Sequence, residues 1–325
     1  MLSYPNVRHL AFLVALAEQR HIRKAAEACN VSQSTLSAGI AELEALLGVR
    51  IAERDRRSVM VTPDGQRIVE QARRVLYETE QLLGLGEAAG NPLSGRIELG
   101  CIPSVGPFLL PRFLPFARQH LPDLVFGLRE DKTPALIERL VDGRLDLVLM
   151  AFPYDIGPFE TEMLFDDPFR FVCPVDHPLA SLDAVEPRQL AGETMMFMER
   201  ENCLHRYALP VFATWPTLAD AAYSATSLHM LAAMVAEGLG STLLPELAVF
   251  GGLLSDHRVA AVRLAGGANR RTIGLVWRRQ SPRAAGYRAV ADLIRRWVAG
   301  QNGSDGRGLR TIVAADAGAP RPIAG

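Results

Sequence analysis

The stretch RKAAEACNVSQSTLSAGIAELEALLG, residues 23–48, decides the fold of the amino-terminal part of the chain. A short helix over residues 23–28 is followed by a turn, and a second helix opens at Ser32, whose hydroxyl can cap its first turn. Behind the cap, apolar side chains recur at spacings of 4, 3 and 4 on one helical face, at Leu36, Ile40, Leu43 and Leu47. This arrangement predicts a helix-turn-helix.

The other face of the second helix begins with short neutral side chains, which can hydrogen-bond without repelling one another. Beside the capping Ser32, they are Gln33, Ser34, Thr35 and Ser37. In a helix-turn-helix, the first turns of the second helix enter the major groove of duplex DNA. We therefore expect these five residues to contact DNA. The alternative is a helical hairpin that serves only packing.

A β-favouring run over residues 58–62 follows an arginine-rich loop, and together they predict a two-stranded wing. Arg54, Arg56 and Arg57 at the wing tip would contact phosphates, and the alternative is a solvated loop. Residues 1–60 hold eight Lys and Arg against six Asp and Glu, whereas the whole chain holds 35 against 36. The positive charge is therefore local, which suits a gene regulator better than a general nucleic-acid coat.

Length and composition limit the class of protein. A chain of 325 residues, 49% hydrophobic and 22% charged, predicts roughly two globular domains. No apolar run approaches the roughly 18 residues of a membrane span, so we expect no membrane partner. The four cysteines, at positions 29, 101, 173 and 203, form neither a CxxC pair nor a dense disulfide framework. This usage indicates a reducing, cytoplasmic location.

Sequence signatures of catalysis are mostly absent. The chain has no HExxH motif, no Walker loop and no nucleophile elbow. Its Gly238-Leu239-Gly240 lacks the third glycine of a dinucleotide fingerprint and is better interpreted as a helix C-cap. We therefore expect no catalytic residue, no metal and no cofactor, and we do not expect an enzyme.

A longer helix is predicted from Pro63 to about residue 87. A narrow seam with heptad-like spacing runs along it, at Ile68, Ala72, Val75, Thr79 and Leu82. The seam favours pairing with a second copy of the chain, because a dimer that reads two half-sites fixes their spacing. The alternative is a helix that lies on its own domain. Glycines from residue 84 to residue 95 predict a hinge.

Beyond the hinge the sequence alternates strand and helix. The order β-α-β-α-β over residues 96–151 predicts a parallel sheet with right-handed crossovers. A second α/β unit follows, and the strand at residues 272–277 is expected to return to the first unit. The predicted domains are residues 1–62, 63–90 and 91–299, the last with a cleft between two lobes, about 95–167 with 269–299 and about 168–268. The tail over residues 300–325 is predicted to be disordered.

Several motifs together give the chain a family resemblance. They include Ala25-Ala26, residues 32–37, Leu43-Glu44, Leu47-Gly48, Glu53-Arg54 and Thr62-Pro63-Asp64-Gly65. With these motifs, residues 4–299 resemble the LysR-type transcriptional regulators. The segments Ile102–Pro107, Phe165–Pro168, Cys203-Leu204 and Arg270–Val276 are similar to the OxyR-type hydrogen-peroxide sensors within that family.

The resemblance implies an α/β fold with an all-α N-terminal part. Its components are a winged helix-turn-helix, a long linker helix and a two-lobed α/β effector domain like that of periplasmic binding proteins. The implied partners are double-stranded promoter DNA, further copies of the chain in a dimer or tetramer, and RNA polymerase if the protein is an activator. The implied effector is peroxide or another small molecule.

The resemblance also implies roles for single residues. Cys203 matches the peroxide-reactive cysteine, at the start of a helix whose dipole would favour the thiolate. Its attack on hydrogen peroxide would give a sulfenic acid. The implied peroxide or effector pocket contains Ser104, Thr133, Asn202, Thr226 and Arg270. The alternative for Cys203 is a small buried hydrophobic residue.

Two departures from the OxyR pattern matter. Phe212 stands where a second, resolving cysteine is usual, and Asn202 stands where a histidine precedes the reactive cysteine. The usual intramolecular disulfide is therefore not expected. The chain would stop at the sulfenic acid, form a mixed disulfide with a small thiol, or have lost peroxide sensing and bind a metabolite in its cleft. A thiol peroxidase or a solute-binding protein is an alternative from another class.

Overall fold

The computed structural model describes residues 4–54, 59–88, 91–199, 224–265, 270–301 and 310–311. Contacts between residues divide the chain into two units. The first comprises residues 1–91 and 138–145, and the second comprises residues 92–137 and 146–325. The predicted helix-turn-helix and the predicted linker helix therefore belong to one unit.

The first unit begins with the predicted winged helix-turn-helix. Its elements are helices α1 (Val7–Gln19), α2 (Ile22–Ala28) and α3 (Gln33–Leu47), the antiparallel strands β1 (Ala52–Arg54) and β2 (Val59–Val61), and helix α4 (Pro63–Ala88). Ser32 caps α3 as predicted, because its Oγ accepts a hydrogen bond from the Thr35 backbone N–H at 3.1 Å. The helix ends at Gly48, whose φ of +66° suits glycine.

Two apolar clusters hold these helices together. One combines α1, α2, α3 and the wing through Phe12, Leu16, Ala25, Ala26, Leu36, Ile40, Ala52 and Val59. The other joins α1, α3 and α4 through Leu10, Leu13, Leu43, Ile51, Val69 and Ala72. The predicted apolar face of α3 is thus buried up to Leu43. Leu47 is 39% exposed, because it lies in the last turn and lines an open groove rather than a core.

The seam predicted on α4 meets two environments. Ala72 lies in the second cluster and Ile68 packs against it, so this part of the helix lies on its own domain. Val75 is 38% exposed and Leu82 is 67% exposed, while the Thr79 hydroxyl donates to the Val75 C=O at 2.9 Å. The first half of the seam therefore lies on its own domain, and pairing of a second copy through the exposed half stays a prediction.

The hinge predicted to begin at residue 84 is wrong in its starting point, because α4 continues to Ala88 through both early glycines. Two glycines destabilise a long amphipathic helix only slightly, so they do not end it. At its other end, α4 begins beside Ile51. A Cβ on Gly65 would overlap the Ile51 carbonyl oxygen, and the Thr62 hydroxyl, which donates to Arg50 C=O, accepts from the Gly65 N–H.

The second unit is a mixed α/β structure. Its longer strands are β3 (Gly95–Cys101), β4 (Leu124–Glu130), β5 (Leu147–Phe152), β6 (Phe159–Pro174), β8 (Met195–Met198), β10 (Ser241–Pro245), β11 (Val259–Leu264) and β12 (Arg270–Arg278), with two-residue strands β7 (Ala184–Val185), β9 (Ser224–Ala225) and β13 (Arg310–Thr311). The helices after the hinge are α5 (Gly106–His120), α6 (Thr133–Val141), α7 (Leu228–Ala236), α8 (Glu246–Phe250) and α9 (Ala284–Gly300).

Strand pairing confirms the predicted β-α-β-α-β order, since β3 is parallel to both β4 and β5. β12 returns to this sheet, as predicted, and pairs antiparallel with β5. β6 is longer than the predicted strand at residues 169–174: its residues 159–168 pair with β12 and its residues 169–174 pair with β10 and β11. Strand β6 therefore pairs with two groups of strands. We call the first group lobe 1 (β3, β4, β5, β12) and the second group lobe 2 (β8, β10, β11).

Within the tail predicted to be disordered, the structure describes the pair Arg310 and Thr311. Arg310 and Thr311 form β13 and pair antiparallel with Asp166 and Phe165 of β6, whose other edge at these residues is paired with β12. An open strand edge can accept a further strand, which explains this local order. Among the described helices, none has the length and apolar character needed to cross a bilayer.

Candidate DNA interface and effector site

The first turn of α3 carries a cluster of hydroxyl groups. Ser32 Oγ lies 2.8 Å from both Ser34 Oγ and Thr35 Oγ1, and it also accepts the Thr35 N–H. Three of the five residues predicted to contact DNA therefore bind one another in the free protein. All three remain exposed, so each can exchange a partner for a base edge or phosphate at little desolvation cost.

Gln33 and Ser37 differ from the cluster. The Gln33 side chain is exposed and makes no hydrogen bond to the residues that the structure describes, whereas Ser37 is half-buried one turn later. A glutamine amide can bind the adenine edge with two hydrogen bonds in the major groove. Base contact by Gln33 stays a prediction, with which its exposed amide is compatible.

The wing is paired as the sequence predicts, with Ala52 opposite Val61 and Arg54 opposite Val59. Arg54 ends β1, but its side chain lies outside the described part of the structure, as do Arg56 and Arg57. Contact between these arginines and phosphates therefore stays a prediction.

A groove of about 550 Å³ lies on the first unit beside α4. Its lining is mainly apolar and includes Pro5, Leu10, Leu47, Val49, Ile68 and Val75. The groove thus contains part of the predicted seam together with the exposed end of the apolar face of α3. Pairing of a second copy of the chain through this surface stays a prediction.

In the second unit, Ser104 belongs to a buried ionic cluster. Arg271 donates from Nη1 to Ser104 Oγ at 2.6 Å and from Nη2 to the Ser104 C=O at 2.9 Å. Its Nε donates to Asp167 Oδ2 at 2.9 Å, and Asp167 Oδ1 accepts the Leu247 N–H at 2.9 Å. Because Ser104 Oγ accepts from a cation, the serine hydroxyl keeps its own hydrogen to donate.

The charges of this cluster compensate one another within the protein interior. The Arg271 and Asp167 side chains are fully buried, and Ser104 is 2% exposed. Burial raises the pKa of the Asp167 carboxyl, while the Arg271 charge and the Leu247 N–H oppose that rise. Beside it, Glu246 pairs with Arg170, so each carboxylate has its own guanidinium. Such pairs are costly to break, because one charge is left buried alone.

Arg271, not Arg270, lies beside Ser104. The place of Arg270 near the pocket stays a prediction: its side chain is 38% exposed and pairs with Asp166 at 3.0 Å. Successive residues of a strand point to opposite faces, so only one of two adjacent arginines on β12 can reach the buried cluster. Sequence reasoning missed Arg271 because the residue pattern does not show which face of the strand each of the two arginines takes.

The other predicted pocket residues are distributed as follows. Thr133 is buried at the start of α6, and Ser104 follows β3, so both lie just beyond the carboxyl ends of neighbouring parallel strands. Ligand sites in α/β sheets form at this edge. Thr226 is exposed just after β9. Asn202 and Cys203 lie outside the described residues, as does Phe212.

The three remaining cysteines are poor thiolates. Burial, with the charge of Glu130, raises the pKa of Cys101 to about 12, and its Sγ lies 3.5 Å from the Arg129 C=O. Burial, with Glu193 and Asp176, raises the pKa of Cys173 to about 11. Cys29, in the first unit, has its pKa raised by burial too. Within the described ranges, no group of three His, Cys, Asp or Glu side chains could hold a metal ion.

Comparison with known proteins covers both parts of the chain. The family model of the bacterial regulatory helix-turn-helix proteins of the lysR family matches residues 7–66, and that of the LysR substrate binding domain matches residues 90–299. The "hydrogen peroxide-inducible genes activator" of Escherichia coli O157:H7 is 41% identical over 290 residues, which are 89% of this chain and 95% of that protein.

Two further proteins extend the comparison. The HTH-type transcriptional regulator EstR of Acinetobacter baylyi is 34% identical over 299 residues, 92% of this chain and 99% of its own. The solved structure of a full-length OxyR variant from Pseudomonas aeruginosa is 31% identical, with a TM-score of 0.75 over 90% of this chain and 95% of that one.

Proposed function

This chain belongs to the LysR family of DNA-binding transcriptional regulators, as its sequence motifs predict, and we propose that it responds to hydrogen peroxide through oxidation of Cys203. The observation that carries the proposal is the 41% identity, over both domains, with a peroxide-inducible genes activator. Cys203 and the Ser104–Arg271 cluster support it, because they supply a candidate thiolate and a buried hydroxyl whose oxygen is held by a cation.

The proposed chemistry is a two-electron oxidation of the thiolate. Cys203 Sγ attacks one peroxide oxygen, the O–O bond breaks, and the second oxygen leaves as hydroxide and takes a proton to become water. The sulfur is oxidised to the sulfenic acid and the peroxide is reduced. We assign the Ser104 hydroxyl, and Thr133 at the same sheet edge, to hydrogen bonds that hold the peroxide or its leaving oxygen.

The proposed end point is a sulfenic acid or a mixed disulfide with a small thiol. A resolving cysteine must reach Cys203 as a thiolate, and Phe212 stands at the position usual for it. With pKa values of about 12 and about 11, Cys101 and Cys173 have on the order of one thiolate in 10⁴ molecules or fewer at neutral pH. Both are also buried, so neither suits the resolving role.

We further propose that the protein acts on promoter DNA as a dimer or a larger assembly, with α4 in the interface. The exposed Val75 and Leu82, and the apolar groove beside them, support this assignment. If oxidation activates transcription, RNA polymerase is the partner that responds.

A second candidate is a regulator whose effector is a metabolite held without covalent chemistry. Two observations favour it: Asn202 and Phe212 depart from the OxyR pattern, and a relative covering nearly the whole chain is named EstR, without reference to peroxide. In this case Ser104 and Thr133 would bind a polar group of that metabolite.

One experiment separates the two candidates. The purified protein is treated with a small excess of hydrogen peroxide and then with dimedone, and its intact mass and its footprint on a bound promoter fragment are measured. We expect a single dimedone adduct on Cys203 and an altered footprint, both absent in Cys203→Ser and both retained in Cys173→Ser. An unmodified Cys203, or a footprint that changes equally in Cys203→Ser, would leave the metabolite as the effector.

A further inference from the structure

A second cluster of positively charged side chains lies at the junction of α1 and α2. Arg20, His21 and Lys24 are all exposed. Arg20 ends α1 in the left-handed region, with φ 47° and ψ 24°, and His21 then occupies the N-cap position of α2 without a side-chain capping bond. The backbone therefore makes an unusual turn at this junction, and the His21 side chain does not cap α2.

No described acidic side chain neutralises the positive charge of this junction. Neither Arg20 nor Lys24 makes an ion pair with any residue in the described ranges. The neighbouring acidic side chains have other partners, because Glu27 pairs with Arg23 at 2.9 Å and Glu18 pairs with Arg73 at 3.3 Å. Among the described residues, these two exposed cations therefore have no acidic partner and remain available to an anionic ligand.

The junction is fixed both to the wing and to the helix that enters the groove. The Val59 N–H, at the start of β2, donates to the Arg20 C=O at 3.2 Å. On α2, Ala25 and Ala26 are buried in the same cluster as Leu36 and Ile40 of α3. The outward side of α2, which carries Lys24, therefore has a defined position relative to the capped end of α3.

We propose that Arg20 and Lys24 bind phosphates of duplex DNA in addition to those expected to contact the wing arginines. The inference rests on DNA binding through α3, which follows from the family, and it adds residues that the sequence pattern did not single out. In a helix-turn-helix the first helix crosses the sugar-phosphate backbone while the second lies in the groove. Charge complementarity, and continuity with the α3 surface and the wing, identify that backbone as the partner.

The test is the salt dependence of DNA binding by the full-length protein. Each phosphate contact that is lost should flatten the slope of log K against log[salt] by about 0.9. The double variant Arg20→Gln/Lys24→Gln should therefore have a slope about 1.8 smaller. Between about 50 and 200 mM salt, the wild-type affinity should then fall about 12-fold more than that of the variant.

Two duplexes are needed, one selected by the protein from a randomised library and one of random sequence. Because phosphates are the same in both, the slope should change equally on each, and the preference for the selected duplex should persist. Arg188→Gln is the control: it removes one exposed arginine, paired with Glu186 at 2.6 Å, from the second unit and should leave the slope unchanged. Arg20→Lys/Lys24→Arg should restore the wild-type slope.

A double variant with an unchanged slope and a wild-type melting temperature would overturn the inference, as would a change of sequence preference at constant slope. Lys24→Gln alone, on a helical position that tolerates glutamine, provides a second reading if the double variant melts early; its slope should change by about 0.9. If the wild type itself bound neither duplex, DNA binding through α3 would fail, and this inference with it.

Discussion

Ser32 and Ser104 show how one residue type serves two opposite purposes in this molecule. Ser32 is exposed, caps α3 and lies within 2.8 Å of two further hydroxyl groups that water can replace. Ser104 is buried and accepts a hydrogen bond from a fully buried arginine, which is itself paired with a buried aspartate. The exposed cluster can change partners at low cost, whereas the buried cluster is part of the fold.

This difference predicts that the buried cluster dominates stability. Arg271→Gln should lower the free energy of unfolding by about 3–5 kcal/mol, because Asp167 is left buried without its cation. Arg270→Gln, one residue away on the same strand, should change it by less than about 1 kcal/mol, since its ion pair with Asp166 is partly exposed. Chemical denaturation of both variants measures the contrast. Equal losses would mean that the two arginines do not differ as the structure requires.

The next largest effect is expected from a steric contrast between two glycines of α9. A Cβ on Gly286 would overlap the Pro92 carbonyl oxygen, and Arg283 holds the same segment through the Ser94 C=O at 2.9 Å. Gly286→Ala should therefore cost about 1–3 kcal/mol.

Gly300, at the end of the same helix, is the matched control for that substitution. A Cβ there meets nothing within 4 Å, so Gly300→Ala should be neutral or slightly stabilising. Thermal denaturation of the two alanine variants decides the point. A stable Gly286→Ala protein would contradict the close approach of Pro92.

Substitutions at the exposed start of α3 should change the free energy of unfolding less, and DNA recognition more, than substitutions in the buried cluster. Ser32→Ala removes the cap of α3 and should cost about 1 kcal/mol. Gln33→Ala should leave stability unchanged but alter the preferred base at one position of the selected duplex, by about 1–3 kcal/mol of discrimination. Parallel melting and selection experiments measure both effects. Equal sequence preferences in Gln33→Ala and the wild type would remove Gln33 from base recognition.

The smallest effect is expected from the buried thiols and only at alkaline pH. The pKa values of Cys101 and Cys173 in the folded protein, about 12 and about 11, lie above the usual 9.0. Each therefore contributes stability that is complete below pH 9 and is lost as the pH rises toward 11 or 12. At pH 10 the loss should be about 1 kcal/mol for each thiol.

Denaturation of the wild type and of Cys101→Ala at pH 8 and pH 10 checks this dependence. The variant should lose less stability between the two pH values than the wild type does. The same fall in both proteins would show that the Cys101 thiol does not titrate differently on folding.

Much of the fold could be predicted because its signals are local. The cap at Ser32, the apolar spacing from Leu36 to Leu43, and the alternation of strand and helix after residue 95 each depend on near neighbours. The spacing along the seam on α4 is the same at Ala72 and at Leu82, so it cannot show that Ala72 is covered by its own domain while Leu82 is exposed. The length of β6 was underestimated, because partners for its first half come from β12, more than ninety residues later.

The sequence by itself determined the capped recognition helix, the family and the candidate thiol, since each is written in contiguous residues or their spacing. Only the tertiary structure decided that Arg271 rather than Arg270 holds Ser104, and that the Arg20 carbonyl pairs with the start of wing strand β2. The physical reason is the same in both cases. Which face a side chain takes, and which distant groups neutralise it, is set by packing between segments far apart in the chain.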